Sequence, residues 1–261
     1  MAKLKHFPIL YIKHFVIFIT FICFDSCKDS NTNLIAIEGA QLSIDSTAAS
    51  VQSIENFVKP YRERIDVILD SALAYAPYTI SNSDGKYNSS AGNLMADIIR
   101  SEGDPIFRKR SGNSIDFVLM NHGGIRASIS KGNVTERTAY EVMPFENYIS
   151  VVGLKGTSVL ELVDYLVKSK RAHPVSGIQI LLNKDDTVKS ISIQGKPLEN
   201  DKVYNVATSD YLVSGGDDMV FFKNGVSFTT LDYKIRNAMI DYFSKVDTLT
   251  PKIDDRFYKM D

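Results

Sequence analysis

The sequence predicts one mixed α+β domain of layered helices and sheets. Helix-type and strand-type apolar patterns follow one another without strict alternation, which argues against a doubly wound parallel sheet. No internal repeat is visible, which removes solenoids and propellers. The 261 residues are 44% hydrophobic and 23% charged, with a mean hydropathy of -0.09, the balance of an ordinary folded chain. Thirty basic residues against thirty-one acidic ones leave a net charge of -1. There is no electrostatic excess with which to hold a polyphosphate backbone, so nucleic acid is excluded as a partner. The two cysteines, Cys23 and Cys27, both lie near the N-terminus. The body of the chain therefore has neither a disulfide framework nor a thiolate metal site.

Residues 1–27 open with Lys3 and Lys5 and carry an apolar or weakly polar run from Phe15 to Phe24. That run is shorter than the roughly 20 residues a bilayer span requires, and a removed signal peptide is expected. Its ending, Ser26-Cys27, resembles a bacterial lipoprotein signal. That likeness implies lipidation at Cys27 and a chain anchored in the bacterial cell envelope, at the outer membrane facing the periplasm or the surface. Phe24 and Asp25 depart from the usual residues of such a signal. Residues 28–45 are then a tether and N-terminal arm, with LIAIEGAQLSI as an early strand or extended segment, and 46–261 form the domain.

Ile54, Phe57, Val58, Tyr61, Ile65, Ile68, Leu69 and Ala72 recur at three- and four-residue steps and predict an amphipathic helix. Pro60 falls inside it, so the pattern is either one kinked helix or two. Residues 72–80 read as extended. A polar loop, 81–93, leads into a helix from Leu94 to about Glu102. IDFVLMN (115–121) is a buried strand that ends abruptly in His122-Gly123-Gly124. Thr135 caps a short helix stopped by Pro144, and 147–154 is a strand. Thr157 begins another amphipathic helix. GIQILLN and VKSISIQG form a hairpin across Lys184–Thr187, Val203–Thr208 is a strand, and a last helix is expected from about Leu231 to Val246.

Three glycine-rich or aromatic segments could carry chemistry. In Asn121-His122-Gly123-Gly124-Ile125-Arg126, paired glycines permit close backbone approach to a ligand. Asn121 offers donors and an acceptor there, and Arg126 a planar fork suited to phosphate or ribose oxygens. The same residues also suit a plain turn with a surface arginine. Met143-Pro144-Phe145-Glu146-Asn147 presents an aromatic after a proline stop, a position equally at home in a core. Ser209 to Asp218 places Tyr211 six residues before Asp217 on the turn Gly215-Gly216-Asp217, which also reads as a capped loop.

Together and in order, these segments resemble the carboxy-terminal domain of the 5'-nucleotidase and UDP-sugar hydrolase family, which carries N-x-G-G-I-R, then P-F, then an aromatic six residues before the acid of a G-G-D turn. Gly92-Asn93-Leu94 matches that family's G-N-L helix start. Lys196-Pro197-Leu198 and Tyr204-Asn205-Val206-Ala207-Thr208 match its G-x-P-L and Y-x-V-A stretches, so the likeness covers about residues 60–250. It implies a fold of that domain's type and a nucleoside or nucleotide ligand. Its base would lie between Phe145 and Tyr211, its ribose hydroxyls on Asp217, its base edge near Asn121 and its ribose-phosphate region near Arg126. The loop before the G-N-L helix has Gly85 and Lys86 where the family has an arginine, which alters the phosphate side.

In full-length members of that family, an amino-terminal metallophosphoesterase domain with two divalent metals performs the hydrolysis. Its Asp-x-His and Gly-His-x-His motifs are absent here. Only His122 and His173 remain beyond the signal, so no metal or other cofactor is expected in this chain. The expected role is the nucleotide-recognition component of a split phosphohydrolase of nucleotide catabolism, inactive alone, with the metals on a partner metallophosphoesterase chain. The alternatives are a surface nucleoside-binding lipoprotein without hydrolysis, and an interaction module that has lost its ligand.

Overall fold

The computed structural model describes residues 9–24, 34, 36–45 and 47–260. It divides into two units, Met1–Gln52 and Ser53–Asp261. In the first, α1 (Ile9–Phe24) is helical, and among the described residues no helix is long and apolar enough to cross a membrane. Cys27 and the tether from Lys28 to Asn33 lie outside the described residues. The early strand is not formed. Ile37, Leu42 and Ile44 are 84–94% exposed, and among the described residues no strand pairs with this segment, so its apolar alternation meets no ladder.

α2 (Gln52–Leu69), which belongs to the second unit from Ser53 onward, is one continuous helix through Pro60. None of its residues is buried, and Ile54, Phe57, Tyr61, Ile65 and Ile68 are all more than half exposed. Its C-terminal turn is tied down by Arg137, which pairs with Asp66 at 2.7 Å and Asp70 at 2.6 Å. β1 (Ala72–Ala76) follows, and then α3 (Ser90–Ser111). That helix exceeds the expected Leu94–Glu102 at both ends. Ser89 caps it by accepting from the Gly92 amide at 3.1 Å, and its apolar face continues past Pro105 to buried Phe107 before Gly112, at φ 75°, ends it.

β2 (Phe117–Leu119), β3 (Gly132–Thr135) and α4 (Glu136–Val142) come next, Thr135 capping α4 in a reciprocal capping box with Thr138. β4 (Tyr148–Lys155) and α5 (Gly156–Ser169) lead to β5 (Val175–Ser176) and the predicted hairpin of β6 (Ile178–Leu182) with β7 (Val188–Ile193). β8 (Lys196–Pro197), β9 (Val203–Ser209) and the single-turn α6 (Asp210–Val213) precede β10 (Ser227–Lys234), α7 (Ile235–Phe243) and β11 (Phe257–Lys259). The last helix thus starts four residues later than the apolar spacing suggested. Backbone pairing along β4 claims the preceding residues for β10, and Leu231 is buried as a strand residue instead.

The central sheet has the order β10-β4-β9-β2-β5, and a four-stranded sheet the order β11-β6-β7-β8. β1 and β3 form a separate antiparallel pair. Phe117, Leu119, Val206, Ala207, Ile149 and Leu154 in the central sheet are fully buried. Burying each larger side chain stabilises the fold by about 1.5–3 kcal/mol. The fold class is the mixed α+β type expected, with helices layered on sheets.

Strand pairing fixes which ends meet. β2 and β9 are parallel neighbours, Phe117 opposite Val206 and Val118 opposite Ala207. β4 runs antiparallel to β9, with Ile149 opposite Ser209. The C-terminal ends of β2 and β9 and the N-terminal end of β4 therefore lie at one edge of the sheet. There the buried Ser209 hydroxyl accepts from the Leu212 amide at 3.3 Å and starts α6. Ser209→Ala is expected to lower stability by about 1 kcal/mol, checked by chemical denaturation.

Candidate functional site

Asn121 and the turn His122–Gly124 follow β2, Phe145 to Asn147 precede β4, and α6 with the turn Gly215–Asp217 follows β9. Asn121, Gly123, Gly124, Arg126, Phe145, Tyr211 and Asp217 line one cleft of about 340 Å³. All seven stand among the residues expected from the sequence. Gly215 and Gly216 shape the turn beneath it instead. Gly215 has φ 91°, and a Cβ at Gly216 would lie 2.5 Å from the Tyr211 ring, so glycine lets that ring rest on the backbone.

Asp217 is the hub. Its Oδ2 accepts from Asn121 Nδ2 at 2.7 Å, its Oδ1 from the Tyr211 hydroxyl at 3.1 Å, and its carbonyl oxygen from the Tyr165 hydroxyl at 2.8 Å. The bond to Asp217 pushes the Tyr211 phenol above its ordinary value, holding it protonated as a donor. A carboxylate can accept about four hydrogen bonds, so Asp217 keeps acceptor capacity for a ligand diol. Phe145 and Tyr211 are 41% and 44% exposed, which leaves both rings open to a stacking partner.

The other rim is cationic. The Arg126 guanidinium lies 6.0 Å from the centre of the Phe145 ring, and its Nη1 reaches the Gly123 carbonyl at 3.4 Å. Behind Phe145, the nearly buried Arg236 donates to the Phe145 carbonyl at 3.4 Å, stacks on Tyr140 at 4.1 Å and pairs with Glu146. Lys234 and Arg236 together draw the Glu146 carboxyl down to about 2.

Asn147 also lines the cleft. It, Tyr165 and Arg236 were not among the residues read from the sequence as functional. Asn147 stood in the M-P-F-E-N segment with no signal to separate it from its neighbours. Tyr165 and Arg236 lie on helices read only through the apolar residues around them. His122 does not line the cleft; its Nδ1 meets the Ala172 carbonyl at 3.2 Å, and its amide donates to His173 Nδ1 at 3.2 Å. Among the described residues no group of three or more His, Cys, Asp or Glu could hold a metal ion.

Gly85 lies in the loop before α3, where a Cβ would come within 2.1 Å of the Asn88 carbonyl oxygen. Lys86 stands over the Tyr87 ring at 5.0 Å and lines a separate cleft with Lys168 and Lys170. Neither contributes to the Asp217 cleft, where Arg126 is the one cation among the lining residues. A larger, more open cleft of about 450 Å³ is lined by Asp97, Arg100, Gln179, Gln194 and Arg256 among others. It contains no aromatic ring, and Arg256 is already paired with Asp97 and Asp254, so it lacks a stacking face.

Comparison with known proteins shows the family and the fold. The family model described as "5'-nucleotidase, C-terminal domain" matches residues 71–224. An apyrase from Tabanus yao is 24% identical over 233 residues, covering 81% of this chain and 42% of its own length. The 5'-nucleotidase of Bos taurus is 25% identical over 255 residues, covering 87% and 44%. Among solved structures, a 5'-nucleotidase precursor from Thermus thermophilus superposes with a TM-score of 0.67 at 22% identity, covering 80% of this chain and 43% of that one. The chain spans less than half the length of these relatives.

Two outcomes follow from the geometry. Gly85→Arg is expected to cost about 1–3 kcal/mol by crowding the Asn88 carbonyl, measured by denaturation, rather than to supply a cation to the cleft. His173 is buried, its Nε2 has no hydrogen-bond partner among the described residues, and burial together with nearby His122 pushes it from 6.5 down to about 4. A histidine held neutral in this way stabilises the fold fully above pH 6.5, and that contribution, on the order of 3 kcal/mol, is lost as pH falls from 6.5 to 4. The melting temperature of the native chain is expected to drop across this window more steeply than that of His173→Asn; parallel slopes would exclude His173 as the titrating group.

Proposed function

Since the chain belongs to the 5'-nucleotidase C-terminal domain family, we propose that it is the nucleoside- and nucleotide-recognition component of a split 5'-nucleotidase-type phosphohydrolase in nucleotide catabolism. The observation that carries this reading is the convergence of Phe145, Tyr211, Asp217 and Asn121 on one cleft. Stacking on an aromatic contributes roughly 1–3 kcal/mol per base, and a hydrogen bond to a charged group about 1.5–3 kcal/mol. After the cost of association, two rings and Asp217 hold a nucleoside in the micromolar to millimolar range. Phe145 and Tyr211 take the base, Asp217 the ribose hydroxyls, Asn121 the base edge, and Arg126 the ribose-phosphate side.

We infer that the chemistry that activates water and clamps phosphate oxygens is supplied by a second, metallophosphoesterase-type polypeptide, because the Asp-x-His and Gly-His-x-His motifs that would carry it are not in this sequence. Two features support such a partner. The relatives are more than twice as long as the portion matched. α2 immediately precedes the family match at residue 71 and carries an uncovered apolar face, Ile54, Phe57, Tyr61, Ile65 and Ile68. We also place the chain at the bacterial cell envelope, held by lipid on Cys27, on the strength of its N-terminal sequence.

Calorimetric titration of the chain with adenosine and AMP tests the proposal. Saturable binding is expected, weakened roughly 5- to 150-fold by Phe145→Ala, the value of one stacking contact, and also weakened by Asp217→Ala. Absence of heat from a demonstrably folded chain would reject it.

A further inference from the structure

Tyr165 does not line the cleft, yet its hydroxyl donates to the Asp217 carbonyl oxygen at 2.8 Å. The residue it holds is strained. Asp217 has φ 52° and ψ 34°, and Asp218 has φ 58°, so two successive residues with side chains occupy the left-handed region. Aspartate tolerates that region better than most residues, but each such placement is unfavourable and persists only where the surroundings over-determine it. Three side chains from three elements supply that determination: Asn121 after β2, Tyr211 on α6 and Tyr165 on α5. Only Tyr165 grips the backbone; the other two grip the carboxylate, the group a ligand must share.

The Tyr165 ring is itself fixed. It meets His173 edge-on at 5.5 Å and Phe221 edge-on at 5.8 Å between ring centres. His173 and Phe221 are both buried, and His173 receives the His122 amide next to Asn121. Tyr165 thereby refers the position of the Gly215–Asp217 turn to the same packed layer that fixes Asn121.

We infer that Tyr165 is a positioning residue for diol recognition: by holding the Asp217 carbonyl it keeps the left-handed turn closed and the carboxylate aimed at the vicinal hydroxyls of a ribose. The inference rests on the nucleoside reading of the cleft. It predicts a loss confined to ligands that carry the diol, because the diol meets the Asp217 carboxylate whereas the base lies on the ring faces of Phe145 and Tyr211.

The test is titration of the native chain and Tyr165→Phe with adenosine and with 2',3'-dideoxyadenosine. Phenylalanine keeps the ring between His173 and Phe221 and removes only the hydroxyl. Adenosine affinity is expected to fall about 5- to 10-fold, the value of one hydrogen bond, while dideoxyadenosine affinity is unchanged. In an Asp217→Ala background, Tyr165→Phe is expected to add no further loss. An equal loss for both ligands would mark Tyr165 as merely structural and overturn the inference. Unchanged adenosine affinity, or full additivity with Asp217→Ala, would also overturn it. A native chain that binds neither ligand would reject the nucleoside reading itself, and this inference with it; binding of both with no difference between native and variant rejects this inference alone.

Discussion

The parallel pairing of β2 with β9 is the constraint from which the rest of the site follows. Phe117 and Val118 lie against Val206 and Ala207 in a layer from which water is excluded. A register slip of one residue would turn these buried side chains to the opposite face. With the register locked, residues far apart in sequence emerge together, and Asn121 reaches Asp217 across 96 positions with a 2.7 Å hydrogen bond. β4 adds Phe145 at the same edge because it runs the other way. The location agrees with the general tendency of ligands to sit beyond the carboxyl ends of parallel strands.

Electrostatics does different work on the two sides of the cleft. Behind Phe145, the charge of Arg236 is almost withdrawn from water and is compensated by Glu146 and two backbone carbonyls. Its role there is geometric, holding the Met143–Glu146 corner so that Phe145 faces outward. Around Asp217 the acid is surrounded by neutral donors, the Asn121 amide and the Tyr211 phenol. Neutral donors fix a carboxylate without cancelling its charge, which leaves it a strong acceptor for hydroxyl groups. Tyr211 therefore supplies more than a stacking face, since its hydroxyl is one of those donors.

Much of this was legible before the fold was seen. The Thr135 cap, the Pro144 stop and the β6–β7 hairpin are set by local chemistry, and local chemistry is what a sequence displays. The cleft residues were legible for another reason: each of their short segments also reads as a plain turn, a capped loop or a core position, but taken in order they resemble one family's motifs. Leu231–Lys234 failed the same approach because its apolar spacing fits a helix and a strand alike, and only pairing with β4 decides between them. Tyr165 was illegible in principle. What distinguishes it is a hydrogen bond to a backbone carbonyl 52 residues away, which no side-chain pattern encodes.

The exposure of α2 bears on how the chain survives outside the folded core. Most of a helix's stability comes from packing its apolar face, and this one carries Pro60 and leaves its apolar stripe exposed. Arg137 secures it at its C-terminal turn, so fraying runs inward from Gln52. Opening of this kind requires no disturbance of the central sheet, and it presents an extended apolar segment to any protease nearby. A polypeptide laid along the stripe closes that route, so the lifetime of the helix reports whether the stripe is occupied.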